Sequence, residues 1–387
     1  MKKICVVVNS RANYARIKSV LYEIKKSGKL NLQLVLGASS LVERFGELEK
    51  IIKNDGFIVT NKIYSIVEGD NPSTMAKSTG LAIIELSNLF TNIRPDVVLT
   101  VADRFETIAT AIAASYMNIP LVHTQGGEIT GSIDESVRHA VTKLSNLHFP
   151  STRNSLQNLL KMGEHKKSVF LTGCPSIDLA KKQFKNRKKI NLSRILNESA
   201  GVGNLKKLVT NYIIVMQHPV TTEYKNTKKN ILQTIKAVHL LKKPTVWFWP
   251  NIDAGNDVIS KEIRKFREKY NPKNILFVKN FSPENFLNII IKSSCIIGNS
   301  SVAIRECSFL GIPAVNIGTR QNGREHGENV KHVNYNFKKI ITAVEYQIRK
   351  KRYKSSKMFG DGNAGKKIVK ILEKYKFLNL QKKLAIK

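Results

Sequence analysis

The sequence predicts an α/β protein made of two doubly wound domains that face each other across a cleft. Short apolar runs rich in Val, Ile and Leu alternate with amphipathic segments of helical length along most of the chain. The apolar runs lack polar alternation, which is typical of parallel strands that are covered on both faces. The pattern stops after about residue 175 and restarts near residue 212, so we expect two successive sets of strands and helices.

The first set contains five predicted strands and five predicted helices. The strands are Lys3–Val8, Leu32–Leu36, Asp96–Val101, Ile119–His123 and Leu147–Phe149. The helices lie around residues 13–27, 40–54, 73–93, 104–117 and 132–145. Strands that alternate with helices of this length build a parallel sheet with helices on both faces, which is a Rossmann-like domain.

The second set follows a polar stretch at about residues 185–208. Its strands are Tyr212–Met216, Thr245–Trp249, Ile275–Val278, Cys295–Ile297 and Ala314–Ile317. We therefore expect an N-terminal Rossmann-like domain over residues 1–172 and a C-terminal one over 173–358. Residues 359–387 are expected to form a C-terminal helix that packs back on the N-terminal domain.

The composition fits a cytoplasmic protein with substantial cores. Of the 387 residues, 42% are hydrophobic, yet no apolar run reaches the 18 residues of a membrane span. The apolar run Ile4–Val8 is too short for a signal peptide. The four cysteines show no metal-ligand spacing and are expected to be reduced and buried; they are Cys5, Cys174, Cys295 and Cys307.

The formal net charge of +35 raises the question of nucleic-acid binding. Basic residues occur in short clusters such as 187–189 and 349–352, without a zinc finger, an RNP segment or a helix-turn-helix pattern. We therefore expect no specific nucleic-acid binding. A lysine-rich surface that attracts anionic substrates is the favoured interpretation.

Polar side chains follow six of the predicted strands, at the point where each strand ends. They are Arg11, Asp103-Arg104, His123 to Glu128, His218, Asn251 and Ser300. In doubly wound sheets, ligands bind beyond the carboxyl ends of the strands. The sequence therefore predicts one site where these strand ends meet.

Residues 297–324 have the features of a nucleotide diphosphate site. Ser300 and Ser301 follow a strand where a helix is expected to begin, and the first turn of a helix binds phosphate. Glu306, on the same predicted helix, can accept hydrogen bonds from ribose hydroxyls. Arg320 and Arg324 follow the next strand, and an arginine fork suits phosphate oxygens. An ordinary helix cap with surface arginines is the alternative.

Two further segments concentrate carboxylates. Residues 123–139 combine three glycines with Glu128, Asp134, Glu135, Arg138 and His139. Asp134 and Arg138 lie one turn apart on a predicted helix, so a merely structural ion pair between them is an alternative. Asp103 and Arg104 stand at a strand-to-helix junction, where Asp103 is either a helix cap or a carboxylate that faces the cleft.

His218 ends the first strand of the second set. An imidazole in this position can neutralise a leaving phosphate or act as an acid, although a structural histidine is the alternative. Asn251, after the next strand, can contact a base or a ribose. The GxGxxG match at 360–365 is rejected as a dinucleotide site, because basic and polar residues precede it where a strand is required.

Together these motifs resemble the hydrolysing UDP-N-acetylglucosamine 2-epimerases of the sialic and legionaminic acid pathways. The motifs that carry the resemblance are ADRFE (102–106), GGEITGSIDESVRHAVTKLS (126–145), HPVTTE (218–223), PNIDAG (250–255), GNSSVAIRE (298–306) and GTRQNGRE (318–325). The resemblance implies a GT-B-like fold and the conversion of UDP-GlcNAc and water to N-acetylmannosamine and UDP. It implies no cofactor and no metal, and we expect a homo-oligomer, a dimer or a tetramer.

The resemblance also implies roles for residues that match the family motifs. The residues expected to bind the UDP-sugar are Arg11, Ala12, Arg104, Arg138, His218, Asn251, Ser300, Ser301, Glu306 and Arg320. Asp103 and Asp134 match the acid/base carboxylates, and Glu128, His218 and Gln125 complete the expected catalytic set. The acid/base side thus falls in the N-terminal domain and the UDP side in the C-terminal domain.

Three positions depart from the family pattern. Gln125 stands where the family often has a Glu proposed to transfer a proton, Asn13 replaces a frequent Asp, and Ala102 a frequent Gly. An amide transfers no proton, so either Glu128 takes over that role or the substrate differs. The same reaction on UDP- or GDP-linked N,N'-diacetylbacillosamine is therefore the first alternative. A non-hydrolysing 2-epimerase and a GT-B glycosyltransferase are the others.

Overall fold

The first half of the chain folds into a six-stranded parallel sheet. The computed structural model describes residues 1–42, 48–69, 71–101, 104–197, 201–203, 211–377, 381–383 and 385. The strands are β1 (Lys2–Val8), β2 (Leu30–Leu36), β3 (Asn61–Lys62), β4 (Val97–Val101), β5 (Leu121–Thr124) and β6 (Leu147–Phe149). Their order is β3-β2-β1-β4-β5-β6. The strand order reverses between β1 and β4, which places a ligand crevice at the carboxyl ends of these two strands.

Helices cover both faces of this sheet. They are α1 (Arg11–Lys26), α2 (Leu48–Asn54), α3 (Pro72–Ile93), α4 (Phe105–Tyr116), α5 (Ile133–Leu144) and α6 (Arg153–Lys161), followed by α7 (Pro175–Lys185) and α8 (Leu192–Asn197). Local sequence sets several of their starts. The Ser10 hydroxyl accepts from the backbone N–H of Asn13 to cap α1, and Asn71 caps α3 with Pro72 in its first turn.

The second half folds into a seven-stranded sheet with the same internal order. Its strands are β7 (Gly201–Val202), β8 (Ile213–Met216), β9 (Thr245–Phe248), β10 (Ile275–Val278), β11 (Cys295–Gly298), β12 (Ala314–Ile317) and β13 (Val330–Val333). The order is β13-β12-β11-β8-β9-β10-β7, and β7 pairs antiparallel at the edge. The helices are α9 (Thr227–Leu241), α10 (Asn256–Tyr270), α11 (Pro283–Lys292), α12 (Glu306–Leu310), α13 (Phe337–Lys350) and α14 (Ala364–Lys374).

The structure confirms the predicted fold class of two doubly wound Rossmann-like sheets. Burial of β1 residues 4–8 on both faces explains why that strand reads as a continuous apolar run. The last helix, α14, packs on α1, and its residues Ile368 and Leu372 join the core beneath the first sheet. The limits of the domains, 1–172, 173–358 and 359–387, stay a prediction.

Two chain segments that run between the sheets meet at a pair of glycines. Gly173 has a φ of 85°, and a Cβ atom built on it would lie 2.9 Å from the Cα of Gly360. The backbone N–H of Cys174 donates to the carbonyl of Phe359 at 2.7 Å. Glycine at both positions allows this close backbone approach.

The structure differs from the sequence prediction in several elements. The strands β3, β7 and β13 were not predicted. The helix expected at 40–54 contains a 3₁₀ turn (Ala38–Leu41) and α2, while residues 43–47 lie outside the described part of the chain. The polar stretch at 185–208 holds the end of α7, the 3₁₀ turn Arg187–Lys189, α8 and β7.

The segment at 360–365 is a loop that leads into α14, as predicted. The side chain of Asp178 on α7 accepts from the backbone N–H groups of Ala364 at 2.9 Å and Gly365 at 2.7 Å. A carboxylate of the protein thus occupies the start of this helix, and residues 351–357 before it form no strand. Among the described helices, none combines the length and apolar character required to cross a membrane.

Candidate active site

The carboxyl ends of the two sheets enclose a cleft that gathers most of the predicted site residues. Its walls include Arg11, Ala12, Arg104, Asp134, His218, Asn251, Ser300, Ser301, Glu306 and Arg320. These residues come from both halves of the chain, as the positions of the strand ends predict. Ala102 and Asp103 lie outside the residues that the structure describes.

Arg11 begins α1 and presents a desolvated cation to the cleft. Its Nε and Nη1 atoms are buried and have no hydrogen-bond partner among the described residues. Burial lowers the pKa of Arg11 to about 10, so the guanidinium stays charged at neutral pH. A buried charged donor without an acceptor is costly, so this position favours an anionic ligand.

A chain of ion pairs crosses the cleft between the two sheets. Arg320 Nη2 lies 3.3 Å from Asp134 Oδ2 and 3.7 Å from Asp253 Oδ2. The other oxygen of Asp253 lies 3.0 Å from Arg104 Nη2. Glu106 accepts from Arg104 Nε at 3.1 Å and from Nη2 at 3.2 Å. Asp134 and Arg104 belong to the first half of the chain, so these contacts join the two walls of the cleft.

The environment of Arg104 differs from the prediction that it binds phosphate. Burial lowers the pKa of Arg104, but Asp253 and Glu106 outweigh burial and raise it above its ordinary value. In this conformation the guanidinium is bound to two carboxylates. Its observed contacts therefore join the cleft walls.

His218 is a neutral hydrogen-bond donor in this site. Its Nδ1 atom accepts from the backbone N–H of Asn251 at 3.2 Å, so the proton of the neutral ring is on Nε2. Burial lowers the pKa of His218 to about 3, with further lowering by Arg320 and Arg104. At neutral pH the ring therefore donates from Nε2 without carrying a positive charge.

The turn after β11 is less helical than the sequence predicts. Ser300 precedes the 3₁₀ turn Ser301–Ala303, and Glu306 begins the separate five-residue helix α12. The expectation of one continuous helix from Ser300 through Glu306 is thus wrong, because a turn at residues 304–305 separates the 3₁₀ turn from α12. Glu306 still faces the cleft, and no described residue forms a hydrogen bond to its buried Oε2 atom.

Arg16 reaches the same turn from the opposite wall. This residue lies on α1, lines the cleft, and donates from Nη2 to Ser301 Oγ at 2.8 Å. The sequence analysis missed it. Arg16 follows Arg11 by five residues, a spacing that does not place both on one face of a helix, and nothing in the sequence indicates that α1 borders the second sheet.

Three predicted residues lie in the layer beneath the cleft. Gln125 has a φ of 64° and donates from Nε2 to Cys174 Sγ at 3.3 Å, while its Oε1 atom has no partner among the described residues. Arg138 is fully buried and donates to the carbonyl oxygen of Glu128 at 2.7 Å. The structure therefore does not bring Gln125, Arg138 or Glu128 to the surface of the cleft.

Glu128 is held by two arginines of the second half of the chain. Its Oε2 atom accepts from Arg305 Nη2 at 2.6 Å and from Arg324 Nη2 at 2.7 Å. Burial would raise the pKa of Glu128, but Arg305, Arg324 and Arg138 outweigh it and lower the pKa to about 2. Glu128 is therefore ionised at neutral pH, and the acid/base role expected for it stays a prediction.

Several residues of these networks were not predicted, although they lie inside the recognised motifs. Glu106 is part of ADRFE, Asp253 of PNIDAG and Arg305 of GNSSVAIRE. Their partners lie in other, distant motifs or in the same motif, and the sequence gives no pairing. Within the described residues, no group of three or more His, Cys, Asp and Glu side chains could hold a metal ion.

Comparison with known proteins identifies a family. Residues 22–373 match the family described as UDP-N-acetylglucosamine 2-epimerase. The chain is 31% identical over 373 residues to the UDP-N,N'-diacetylbacillosamine 2-epimerase (hydrolyzing) of Legionella pneumophila, and the match covers 96% of each protein. It is 33% identical to the GDP/UDP-N,N'-diacetylbacillosamine 2-epimerase (hydrolyzing) of Campylobacter jejuni, over 85% of this chain and 83% of the relative.

A solved structure shares the fold. The crystal structure of UDP-GlcNAc 2-epimerase from Neisseria meningitidis bound to UDP-GlcNAc matches with a TM-score of 0.79 at 20% identity. The match covers 96% of this chain and 100% of that one. The likeness supports the two-domain architecture described above.

Proposed function

This chain belongs to the UDP-N-acetylglucosamine 2-epimerase family, and on that basis we propose that it is a hydrolysing 2-epimerase. Its substrate is a 2-acetamido sugar linked to UDP, and its products are UDP and the free sugar with inverted C2. The observation that carries the proposal is the Arg11 guanidinium, whose buried Nε and Nη1 atoms have no partner among the described residues and which faces the same cleft as His218, Ser300 and Asp134. That cleft offers donors for a diphosphate beside a carboxylate for the sugar.

The charges around the cleft suit a diphosphate leaving group. Among the described residues, seven arginines meet five carboxylates in the cleft and the layer beneath it. The arginines are Arg11, Arg16, Arg104, Arg138, Arg305, Arg320 and Arg324, and the carboxylates are Glu106, Glu128, Asp134, Asp253 and Glu306. The excess positive charge stabilises the developing charge on UDP.

Each donor has a part in UDP expulsion under this proposal. Arg11 donates to the diphosphate, and the neutral ring of His218 donates a hydrogen bond from Nε2. Ser300 offers its hydroxyl at the turn after β11. The free Oε2 atom of Glu306 accepts from a ribose hydroxyl. Asn251, whose N–H orients His218, lies beside the same wall.

The sugar side supplies proton transfer. A carboxylate removes the proton from C2 while the C1–O bond breaks, and UDP leaves with the electron pair to give a 2-acetamidoglycal. Water then adds its hydroxyl to C1, and C2 takes a proton on the opposite face. Two faces require two acid/base groups, and Asp103 and Asp134 are the proposed pair. Arg320 Nη2 lies 3.3 Å from Asp134 Oδ2 and neighbours this carboxylate in the cleft.

In this scheme Gln125 orients a neighbouring group and transfers no proton. Its left-handed backbone conformation is uncommon for a residue other than glycine, and its amide is tied to Cys174. An amide in this position can orient a group but cannot exchange a proton. Asp134 and Asp103 must therefore complete the inversion without it.

Two sugars are candidates, each favoured by a separate observation. The names of the Legionella pneumophila and Campylobacter jejuni relatives described above favour N,N'-diacetylbacillosamine linked to UDP or GDP. The family description and the motif resemblance favour UDP-GlcNAc. Either product would serve the synthesis of a nonulosonic acid. The reaction needs no redox cofactor, because elimination followed by hydration transfers no net electrons.

Product analysis by NMR tests the proposal. The protein is incubated separately with UDP-GlcNAc and with UDP-N,N'-diacetylbacillosamine, without an acceptor. We expect UDP and a free manno-configured sugar from at least one of them. A UDP-linked epimer would indicate a non-hydrolysing enzyme. No turnover until an acceptor is added would indicate a glycosyltransferase.

A further inference from the structure

Glu128 stands at the start of a hydrogen-bonded chain that ends at His218. Arg324 donates from Nη2 to Glu128 Oε2 at 2.7 Å and from Nη1 to Gln321 Oε1 at 2.6 Å. Gln321 donates from Nε2 to the carbonyl oxygen of Asn299 at 2.9 Å. Asn299 then accepts from the backbone N–H of His218 and donates to its carbonyl, both at 2.8 Å.

All five residues of this hydrogen-bonded network are buried, and they span both halves of the protein. Glu128 is 4% exposed, Gln321 2% and Asn299 0%. Glu128 follows β5 in the first sheet, whereas the other four residues follow strands of the second sheet. Hydrogen bonds between buried groups have well-defined geometry, so a displacement at Glu128 is transmitted to the wall that carries His218.

A second arm leads from Glu128 to the serine turn. Arg305 donates from Nη2 to the same Oε2 atom at 2.6 Å and from Nη1 to Ser301 Oγ at 3.4 Å. The Glu128 carboxylate therefore binds two arginines. Arg305 contacts Ser301 directly, and Arg324 is connected to His218 through Gln321 and Asn299. Ser301 and His218 both line the cleft where the diphosphate is proposed to bind.

We propose that Glu128 is a positioning residue that fixes the diphosphate-binding wall against the first sheet, through Arg324 and Arg305. The proposal rests on the proposed function for its kinetic readouts. It replaces the acid/base role expected from the sequence, and it assigns the proton transfers to other carboxylates. The negative charge of Glu128 is part of the proposal, because this carboxylate is the counter-ion that the two buried arginines share.

A double-mutant cycle in the full-length protein tests the proposal. The variants are Glu128→Gln, Arg324→Met and the double variant, with UDP affinity measured by calorimetry and kcat and KM measured on the active sugar. We expect each single variant to weaken UDP binding and to lower kcat/KM by roughly 10- to 100-fold, because removal of one partner of a buried ion pair leaves the other partner uncompensated. The UDP affinity and the kcat/KM of the double variant should lie within about threefold of those of the more strongly impaired single variant, because both substitutions remove the same contact.

The chain offers a matched control in Glu164. This carboxylate is also buried and ion-paired, to Lys382 at 2.6 Å and Lys143 at 3.2 Å, but it lies outside the cleft walls. Glu164→Gln should lower the unfolding temperature while UDP affinity and KM stay as in the wild type. A comparable loss of UDP binding in Glu164→Gln would overturn the proposal, since general destabilisation would explain the effect.

Two further variants cover the case in which Glu128→Gln fails to fold. Glu128→Asp retains the charge and should recover part of the UDP affinity. Gln321→Leu breaks the chain without touching Glu128, and it should weaken UDP binding in the same direction as Arg324→Met. Wild-type UDP affinity in Gln321→Leu would contradict the proposed connection.

The pH profile separates positioning from proton transfer. A positioning role leaves both limbs of the kcat/KM profile in place in Glu128→Gln, whereas Asp134→Asn is expected to remove one. Loss of a limb in Glu128→Gln, with UDP affinity intact, would assign Glu128 to acid/base chemistry instead. A wild-type protein that binds UDP but converts neither sugar would overturn the proposed reaction, while the UDP titrations would still decide the role of Glu128.

Discussion

At the scale of single residues, the chemistry of the site depends on which atoms are already occupied. Arg104 and Arg320 are bound to carboxylates across the cleft, whereas two buried donors of Arg11 lack a partner in the part of the chain that the structure describes. His218 has its Nδ1 atom occupied by Asn251, so its Nε2 atom is the donor. The sequence suggests the same role, binding of phosphate, for Arg11, Arg104 and Arg320. Their surroundings in the folded protein are therefore not equivalent.

His218 predicts a specific pH dependence of stability. Burial, assisted by Arg320 and Arg104, lowers the pKa of His218 to about 3 in the folded protein, whereas in the unfolded chain it has the ordinary histidine value of 6.5. Below that value the unfolded chain binds a proton that the folded protein excludes, so stability falls as the pH falls from about 6.5 towards 3. Between pH 7 and pH 5 this contribution amounts to about 2 kcal/mol.

His218→Gln should therefore show a weaker dependence of stability on pH. The free energy of unfolding in urea, measured at pH 7 and pH 5, should differ between the two pH values by about 2 kcal/mol less in the variant than in the wild type. His148, whose pKa is also lowered by burial, contributes equally to both proteins and cancels in the comparison. An identical pH dependence in the two proteins would show that His218 titrates normally.

At the scale of helices and strands, the sequence predicts those elements that have their own periodic or apolar pattern. All ten predicted strands are present with small shifts of their ends, because buried parallel strands need continuous apolar runs. The strands β3 and β7 have two residues each and carry no such signal. The 3₁₀ turn after Ser300 was read as a helix because both begin with the same capping residues.

The start of α14 offers a test of how this last helix is anchored. Asp178→Ala removes the acceptor for the N–H groups of Ala364 and Gly365. We expect a loss of about 1–2 kcal/mol in the free energy of unfolding, as for other helix caps. Hydrogen exchange should increase in residues 364–374, while UDP affinity stays unchanged. Unchanged protection of this helix would show that its packing on α1 suffices.

At the scale of the whole molecule, the sequence predicted the architecture and the location of the cleft but not the contacts across it. The strand ends alone indicate a common site, because parallel strands present their carboxyl ends at one edge. Glu128 and Arg324 are separated by 196 residues, and Asp134 and Arg320 by 186. Local periodicity contains no information on such pairs, so the sequence could not indicate that Arg324 and Arg305 are the partners of Glu128.

The large net positive charge fits this account at the same scale. A charge of +35 creates an attractive field for a nucleotide sugar, whose diphosphate is anionic. The cleft concentrates that field, because its arginines outnumber its carboxylates among the described residues. The surface charge thus agrees with a small anionic substrate and requires no nucleic acid.

The most direct test of the central claim is an isotope experiment on the reaction itself. The protein is incubated with the accepted UDP-sugar in D₂O that is enriched in ¹⁸O, and the products are analysed by NMR and mass spectrometry. Elimination followed by hydration predicts one deuterium at C2 of the free sugar and UDP without ¹⁸O, because the C1–O bond breaks. Retention of the original hydrogen at C2, or ¹⁸O in the β-phosphate of UDP, would contradict the mechanism.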